Sequence, residues 1–176
     1  ISGVAPGLAL VADLGPPRTE CGVGALAAWA GRLWAVAYLS SGPRSGAGTG
    51  LYEIDADLRM TKRPESAAGT YANRLAHFPS NQLFIGPHVI DAERRVRTIP
   101  ELVDVRLAAT MDHLTDRDKV YVLGMEGEFF EVDVHSLEVR HLADLRDDLD
   151  IRDKRRVHFK AGYTVTARDN SGACAR

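Results

Sequence analysis

A chain of 176 residues, 45% hydrophobic and 26% charged, has the make-up of a folded domain with a sizeable core, which excludes an intrinsically disordered polymer. Its formal net charge of -2 offers no basic excess to a nucleic-acid backbone or an anionic membrane, so both are set aside as partners. No apolar run approaches the roughly 20 residues of a spanning helix, because Gly, Arg or Asp interrupts each candidate.

The first residues from Ile1 show no charged segment followed by an apolar one, so no signal peptide is read in them and the compartment stays open. Cys21 and Cys174 are too few for a disulfide framework and lack metal-ligand spacing. Two unrelated thiols and a staple between the ends both remain open, since spacing alone does not bring two Cα atoms into bridging range.

In chain order, strands are predicted at 24–29 and 32–39, followed by a Gly- and Ser-rich loop at 41–50 that lacks the Lys-Ser/Thr ending of a phosphate-binding loop. Next come 51–55 and an outer strand at 60–64, then 74–78, 82–86, a short run closing at Asp91, and 96–99. A third set runs 106–111, 119–123, 129–133 and 138–142, and a further first strand is read at 157–164. The charged stretch 146–156 reads as a solvated loop, with a helix over 143–155 as its competitor; Asp147, Asp148 and Asp150 lack the alternation and turn glycine of an EF-hand loop.

A repeat underlies this order. Ile54-Asp55, Ile90-Asp91 and Val132-Asp133 each close a strand before a turn, and their Asp residues are 36 and 42 apart, close to the ~40 residues of a four-stranded propeller blade. The second strands at 32–39, 82–86 and 119–123 are nearly continuous apolar runs, as strands buried on both faces are. The first strands at 74–78 and 106–111 share Arg-Leu-Ala, and the outer strands carry the interspersed charge of an exposed edge. The expected fold is therefore all-β: a β-propeller of four-stranded antiparallel blades, incomplete at about three and a half blades. One domain over 1–176 divides into repeats at 22–71, 72–105 and 106–150, with a further blade beginning at 151–176. Another copy, another chain or further sequence is expected to complete the ring, because an open propeller exposes a sheet face.

His77, His113 and His158 fall on or just after three successive first strands, which line the axis of a propeller. The repeat aims them at one axial funnel, with Arg74, Asn81 and Gln82 near the first, Asp112 near the second, and Lys160 and Tyr163 near the third. Imidazoles beside Arg, Lys and Tyr suit acid-base chemistry on a carboxylate-bearing substrate. The competing reading, in which each imidazole satisfies backbone groups at a strand end, stays open. No His spacing resembles a metal motif, so no metal or other cofactor is required, although three histidines around one axis leave a divalent ion conceivable. His88, His135 and His141 are expected at the surface, and Trp29, Trp34, Tyr52, Phe129 and Phe130 between blades.

Three runs are more specific: Arg74 to Pro87; His113 to Asp116 with Lys119 to Tyr121 and Met125 to His135; and His158 to Tyr163. Together they resemble the seven-bladed propeller enzymes that act on the rhamnose-glucuronate cap of arabinogalactan, the L-rhamnose-α-1,4-D-glucuronate lyases and related α-L-rhamnosidases. The chain departs from that group at Val122, where an aromatic is expected, and at Glu126, which stands alone before Gly127. The resemblance implies an acidic glycan substrate, a secreted or periplasmic location, and β-elimination at the uronate. It assigns carboxylate neutralisation to Arg74 or Lys160 with Asn81, proton abstraction at C5 to His77 or His113, and the acid role to Tyr163. Gln82 and His158 complete the expected binding set. A noncatalytic propeller binding a glycan or a protein, and a scaffold completed by a partner, are the alternatives.

Overall fold

The computed structural model of the chain describes residues 21–39 and 50–148. Among them are twelve strands in three four-stranded sheets: β1 (Cys21–Trp29), β2 (Arg32–Leu39), β3 (Leu51–Ile54) and β4 (Met60–Lys62); β5 (Arg74–His77), β6 (Gln82–Ile85), β7 (His88–Asp91) and β8 (Val96–Thr98); β9 (Leu107–Asp112), β10 (Lys119–Gly124), β11 (Glu128–Asp133) and β12 (Val139–Asp144). Each sheet is an antiparallel meander, its strands hydrogen-bonded in chain order. Helix is limited to 3-10 turns at Phe78–Ser80 and Pro100–Leu102 and to α1 (Leu145–Asp148), so the helix considered over 143–155 forms only there within the described residues. The predicted loop at 41–49, the strand at 157–164 and the blade beginning at 151 lie outside the described residues.

The repeated Asp has one job in all three sheets. Asp55 Oδ1 accepts the backbone N–H groups of Asp57 and Arg59 at 3.0 and 2.8 Å, and Asp91 Oδ1 accepts those of Glu93 and Arg95, both at 2.9 Å. Asp133 Oδ1 accepts those of His135 and Ser136 at 2.9 and 2.8 Å. A short carboxylate at this point mimics a backbone turn and closes the hairpin between third and fourth strands. Each turn then passes through a left-handed residue: Leu58, Arg94 and Leu137, at φ 60°, 65° and 64°.

Superposing the hairpins on these Asp residues fixes the equivalences. Leu33 faces Ile54, Leu83 faces Ile90 and Val120 faces Val132, so Trp34, Phe84 and Tyr121 share one position. Trp29 and His77 end their first strands at another shared position, and His113, one residue beyond β9, is its counterpart when the register is extended. The Arg-Leu-Ala shared by 74–76 and 106–108 is not structurally equivalent, which corrects the sequence alignment. Arg74 pairs with Ile85, and the matching residue of the third sheet is Thr110, paired with Val122.

The first strands lie side by side, β5 next to both β1 and β9. A two-residue parallel bridge joins the segment before β5 to β9: the Leu107 N–H donates to Thr70 O at 2.8 Å and the Ala72 N–H to Leu107 O at 2.9 Å. Asn73 bolts the second sheet to the third, its amide nitrogen donating to Gly86 O and Thr110 Oγ1, both at 2.9 Å. Trp29 Nε1 ties the first sheet to the second by donating to Asp91 O at 3.1 Å. One core runs through all three sheets, with Trp34, Tyr71, Phe84, Ile90, Leu107 and Val132 fully buried in it. Gly86, at φ +58°, turns the chain between β6 and β7 against the ring of Tyr71, where a β-carbon would crowd Tyr71 at 3.3 Å.

Candidate functional site

In every sheet the turns between first and second and between third and fourth strands lie at the same end, because the meander reverses at each strand. The contact of Trp29 with Phe78 and that of Arg97 with His135 bring the three sets of turns together. This hairpin end carries His77, Asn81 and Gln82.

His77 is 1% exposed and its ring packs edge-on against Phe84 at 6.3 Å. The Gln82 amide is satisfied when its nitrogen donates to Ser80 Oγ at 3.1 Å and Val134 O at 3.0 Å, and its oxygen accepts from Arg97 at 3.0 Å. The Ser80 hydroxyl is then free to donate to His77 Nδ1 at 2.7 Å, which places the ring proton on Nε2, 3.9 Å from Asp112 Oδ1 of the third sheet. Burial lowers the His77 pKa from the ordinary imidazole value, with Asp112 opposing the shift. His77 is thus a buried ring whose nitrogens face Ser80 on one side and the exposed Asp112 carboxylate on the other.

His113 occupies the equivalent place but faces away. It lies one residue beyond β9, and its ring contacts, Tyr121 and Glu131, belong to the third sheet, whereas the third-sheet group beside His77 is Asp112. His113 Nδ1 accepts the backbone N–H groups of Thr115 and Asp116 at 3.2 and 2.9 Å, while Nε2 lies 3.2 Å from Glu131 Oε2. Its ring stacks on Tyr121 at 4.4 Å. Hydrogen bonds from Lys119, and then Arg140, hold the Glu131 carboxyl below its usual value against the opposing effect of burial.

Arg74 stands three residues before His77, on the opposite face of β5, and is not brought to the hairpin end. His158, Lys160 and Tyr163 lie outside the described residues. His88, expected at the surface, is fully buried, because β7 is enclosed where it faces the first sheet; its Nδ1 meets Thr98 Oγ1 at 2.9 Å. His135 and His141 are exposed as expected. Among the described residues no group of three or more His, Cys, Asp or Glu is placed to hold a metal ion.

What the hairpin end presents to solvent is a groove of about 520 Å³ lined by Ser80, Asn81, Gln82, Asp91, Glu93, Arg95 and Arg97. Arg95 is engaged by Asp91 at 2.6 Å and Glu93 at 3.2 Å. Arg97 is different: its guanidinium donates to His135 O at 2.7 Å and, more weakly, to Val134 O at 3.4 Å. With Gln82 these are neutral oxygens, and no carboxylate among the described residues pairs with Arg97. The sequence reading marked Asn81 and Gln82 but missed Arg97, which looked like one of several charges on an outer strand. The chain matches no protein-family model, and a search of curated proteins finds no significant match.

Proposed function

We propose that the three sheets are successive blades of an incomplete β-propeller, and that its hairpin end binds an acidic glycan. The blade reading is supported by the side-by-side first strands, the shared Asp turn and the single core running from sheet to sheet. The functional reading is carried by one observation: Arg97, a cation with only neutral partners, in the wall of a groove that also presents Asn81 and Gln82. Such a guanidinium accommodates a carboxylate, and the neighbouring amides suit sugar hydroxyls.

The family resemblance adds catalysis to this: β-elimination at a glucuronate, or hydrolysis in the rhamnosidase version. Elimination needs a base with a free lone pair within about 3 Å of the proton it removes. The His77 lone pair is taken by Ser80 and its ring is buried, and the His113 lone pair accepts two backbone N–H groups. Binding is therefore the reading the geometry favours.

Calorimetry with a rhamnosyl-glucuronide is expected to give saturable binding that weakens about tenfold in Arg97→Gln, the loss of one charge-assisted pair. No absorbance band of an unsaturated uronate is expected to grow. Unchanged affinity in Arg97→Gln would sink the binding reading. Growth of the band with wild type, lost in His77→Ala, would establish elimination.

A further inference from the structure

We infer that the first sheet carries a preformed pocket for a tryptophan side chain of a partner polypeptide, at the place where the second sheet already receives Trp29. The inference goes beyond the glycan reading and rests on the register of the repeat.

Strand pairing and the shared Asp turn make Ala28, Leu33, Ile54, Asp55 and Ala56 of the first sheet equivalent to Ala76, Leu83, Ile90, Asp91 and Ala92 of the second. All five positions carry the same residue type in both sheets. In the second sheet this set is occupied. The indole of Trp29 donates from Nε1 to Asp91 O at 3.1 Å and packs against the core that holds Leu83 and Ile90. In the first sheet the same five residues line an open groove of about 480 Å³. Leu83 is fully buried, whereas Leu33 is half-buried and Ala28 exposed. Gly31 keeps the mouth clear, since a β-carbon there would meet nothing within 4 Å.

The two turn carbonyls differ in the same way. Asp91 O accepts the Arg94 N–H at 3.0 Å and the Trp29 indole N–H as well. Asp55 O accepts the Leu58 N–H at 3.0 Å, and no side chain among the described residues donates to it. A carbonyl oxygen has two lone pairs, so Asp55 O can take a second donor. The occupant that matches the repeat is a flat apolar ring carrying one N–H.

The composition of the chain decides where that ring comes from. It holds two tryptophans, Trp29 and Trp34, and both are committed between the first and second sheets: Trp34 is fully buried, with its Nε1 donating to Trp29 O at 3.1 Å. The third sheet of a second copy would present His113 as the counterpart of Trp29. Its Nδ1 already accepts two backbone N–H groups, and its Nε2 faces Glu131. A second copy therefore has no such ring to offer, and the tryptophan belongs to a partner of different sequence. A single tryptophan seated in a rigid apolar pocket is a common anchor of protein interfaces.

The test titrates N-acetyl-tryptophanamide into the 176-residue chain and follows backbone amide chemical shifts. Saturable binding at about 1 mM is expected, with the largest shifts at Leu33 and Ala56. The 1-methylindole derivative, which lacks the N–H, should bind about fivefold more weakly, the loss of one neutral hydrogen bond. Ala28→Phe fills the groove from an exposed position and should abolish binding at an unchanged urea midpoint. If that midpoint falls, the comparison of the two probes on wild type decides alone. Absence of saturable binding, shifts confined to other residues, equal affinity of the two probes, or binding that survives Ala28→Phe would overturn the pocket. Self-association of the chain that Ala28→Phe removes would also overturn the inference, because the occupant would then be a second copy. The groove shares no lining residue with the one beside Arg97, so tryptophan binding and glycan binding fail or succeed separately.

Discussion

The imidazole of His88 has a strongly unfavourable place to carry charge. It is fully buried, its Nε2 has no hydrogen-bond partner, and burial pushes its pKa down to about 4, with Glu65 opposing the shift. Because the folded-state pKa lies below the ordinary 6.5, the unfolded chain takes up the proton first as pH falls. Stability linked to His88 is therefore complete above about pH 6.5, declines between 6.5 and about 4, and amounts to about 3 kcal/mol at its limit. His77, also lowered by burial, adds a loss of the same sign. Urea midpoints between pH 8 and pH 4 are expected to fall through this window, and His88→Leu should flatten the part that His88 contributes. A profile unchanged by that substitution would show that His88 is hydrated or charged in the folded protein. Asp91 and Asp133 act lower on the scale. Burial raises the Asp91 carboxyl but is outweighed by backbone hydrogen bonds and the Arg95 guanidinium, and the Ser136 and His135 hydrogen bonds lower that of Asp133, so their contribution is lost as pH falls below about 4.

The Asp-centred turn is the element that defines the repeat, and it makes a prediction of its own. Replacing Asp91 by Ala removes two backbone acceptor bonds and the Arg95 pair, which is expected to cost about 1–2 kcal/mol. Leu58 occupies the left-handed position of the equivalent turn in the first sheet and is exposed, so Leu58→Gly should gain about 0.5–1 kcal/mol. Chemical denaturation of both variants checks the pair; a destabilised Leu58→Gly would mean that its exposed side chain contributes packing the turn needs. The Asp turns were legible in the sequence because one residue type recurs at one structural task. Most strands were legible to within two residues because the apolar second and third strands anchor each set, but β1 begins at Cys21, three residues before the start read from the sequence. Arg-Leu-Ala misled because three identical residues outweigh register only on paper; strand pairing sets the true offset. The site was less legible. Whether Arg97 or its neighbours point into a groove depends on which face of β8 meets the third sheet, and His88 was misplaced because a third strand enclosed by its neighbour reads like an outer one.

At the scale of the whole molecule, the equivalences show how far the packing of sheet on sheet has proceeded. Trp34 of the first sheet and Phe84 of the second hold one position, and each is buried where the next sheet covers it. Tyr121 holds the same position in the third sheet and is only half-buried, in an aromatic row with His113 at 4.4 Å and Phe129 at 5.1 Å. A half-exposed aromatic whose two counterparts are interior is what the proposed propeller predicts where a further sheet would pack. Truncation should then cost different amounts at equivalent positions. In this chain Phe84→Leu removes a fully enclosed ring and is expected to cost about 1–2 kcal/mol, whereas Tyr121→Leu should cost less than half as much. The difference is expected to vanish when a covering sheet is present, because Tyr121 would then lose the same enclosed contacts as Phe84. Urea denaturation of the two variants, in this chain and in any longer species or assembly that contains it, reads both halves of the prediction. Equal costs in the 176-residue chain would mean that the Tyr121 face is already covered and the third sheet needs no neighbour.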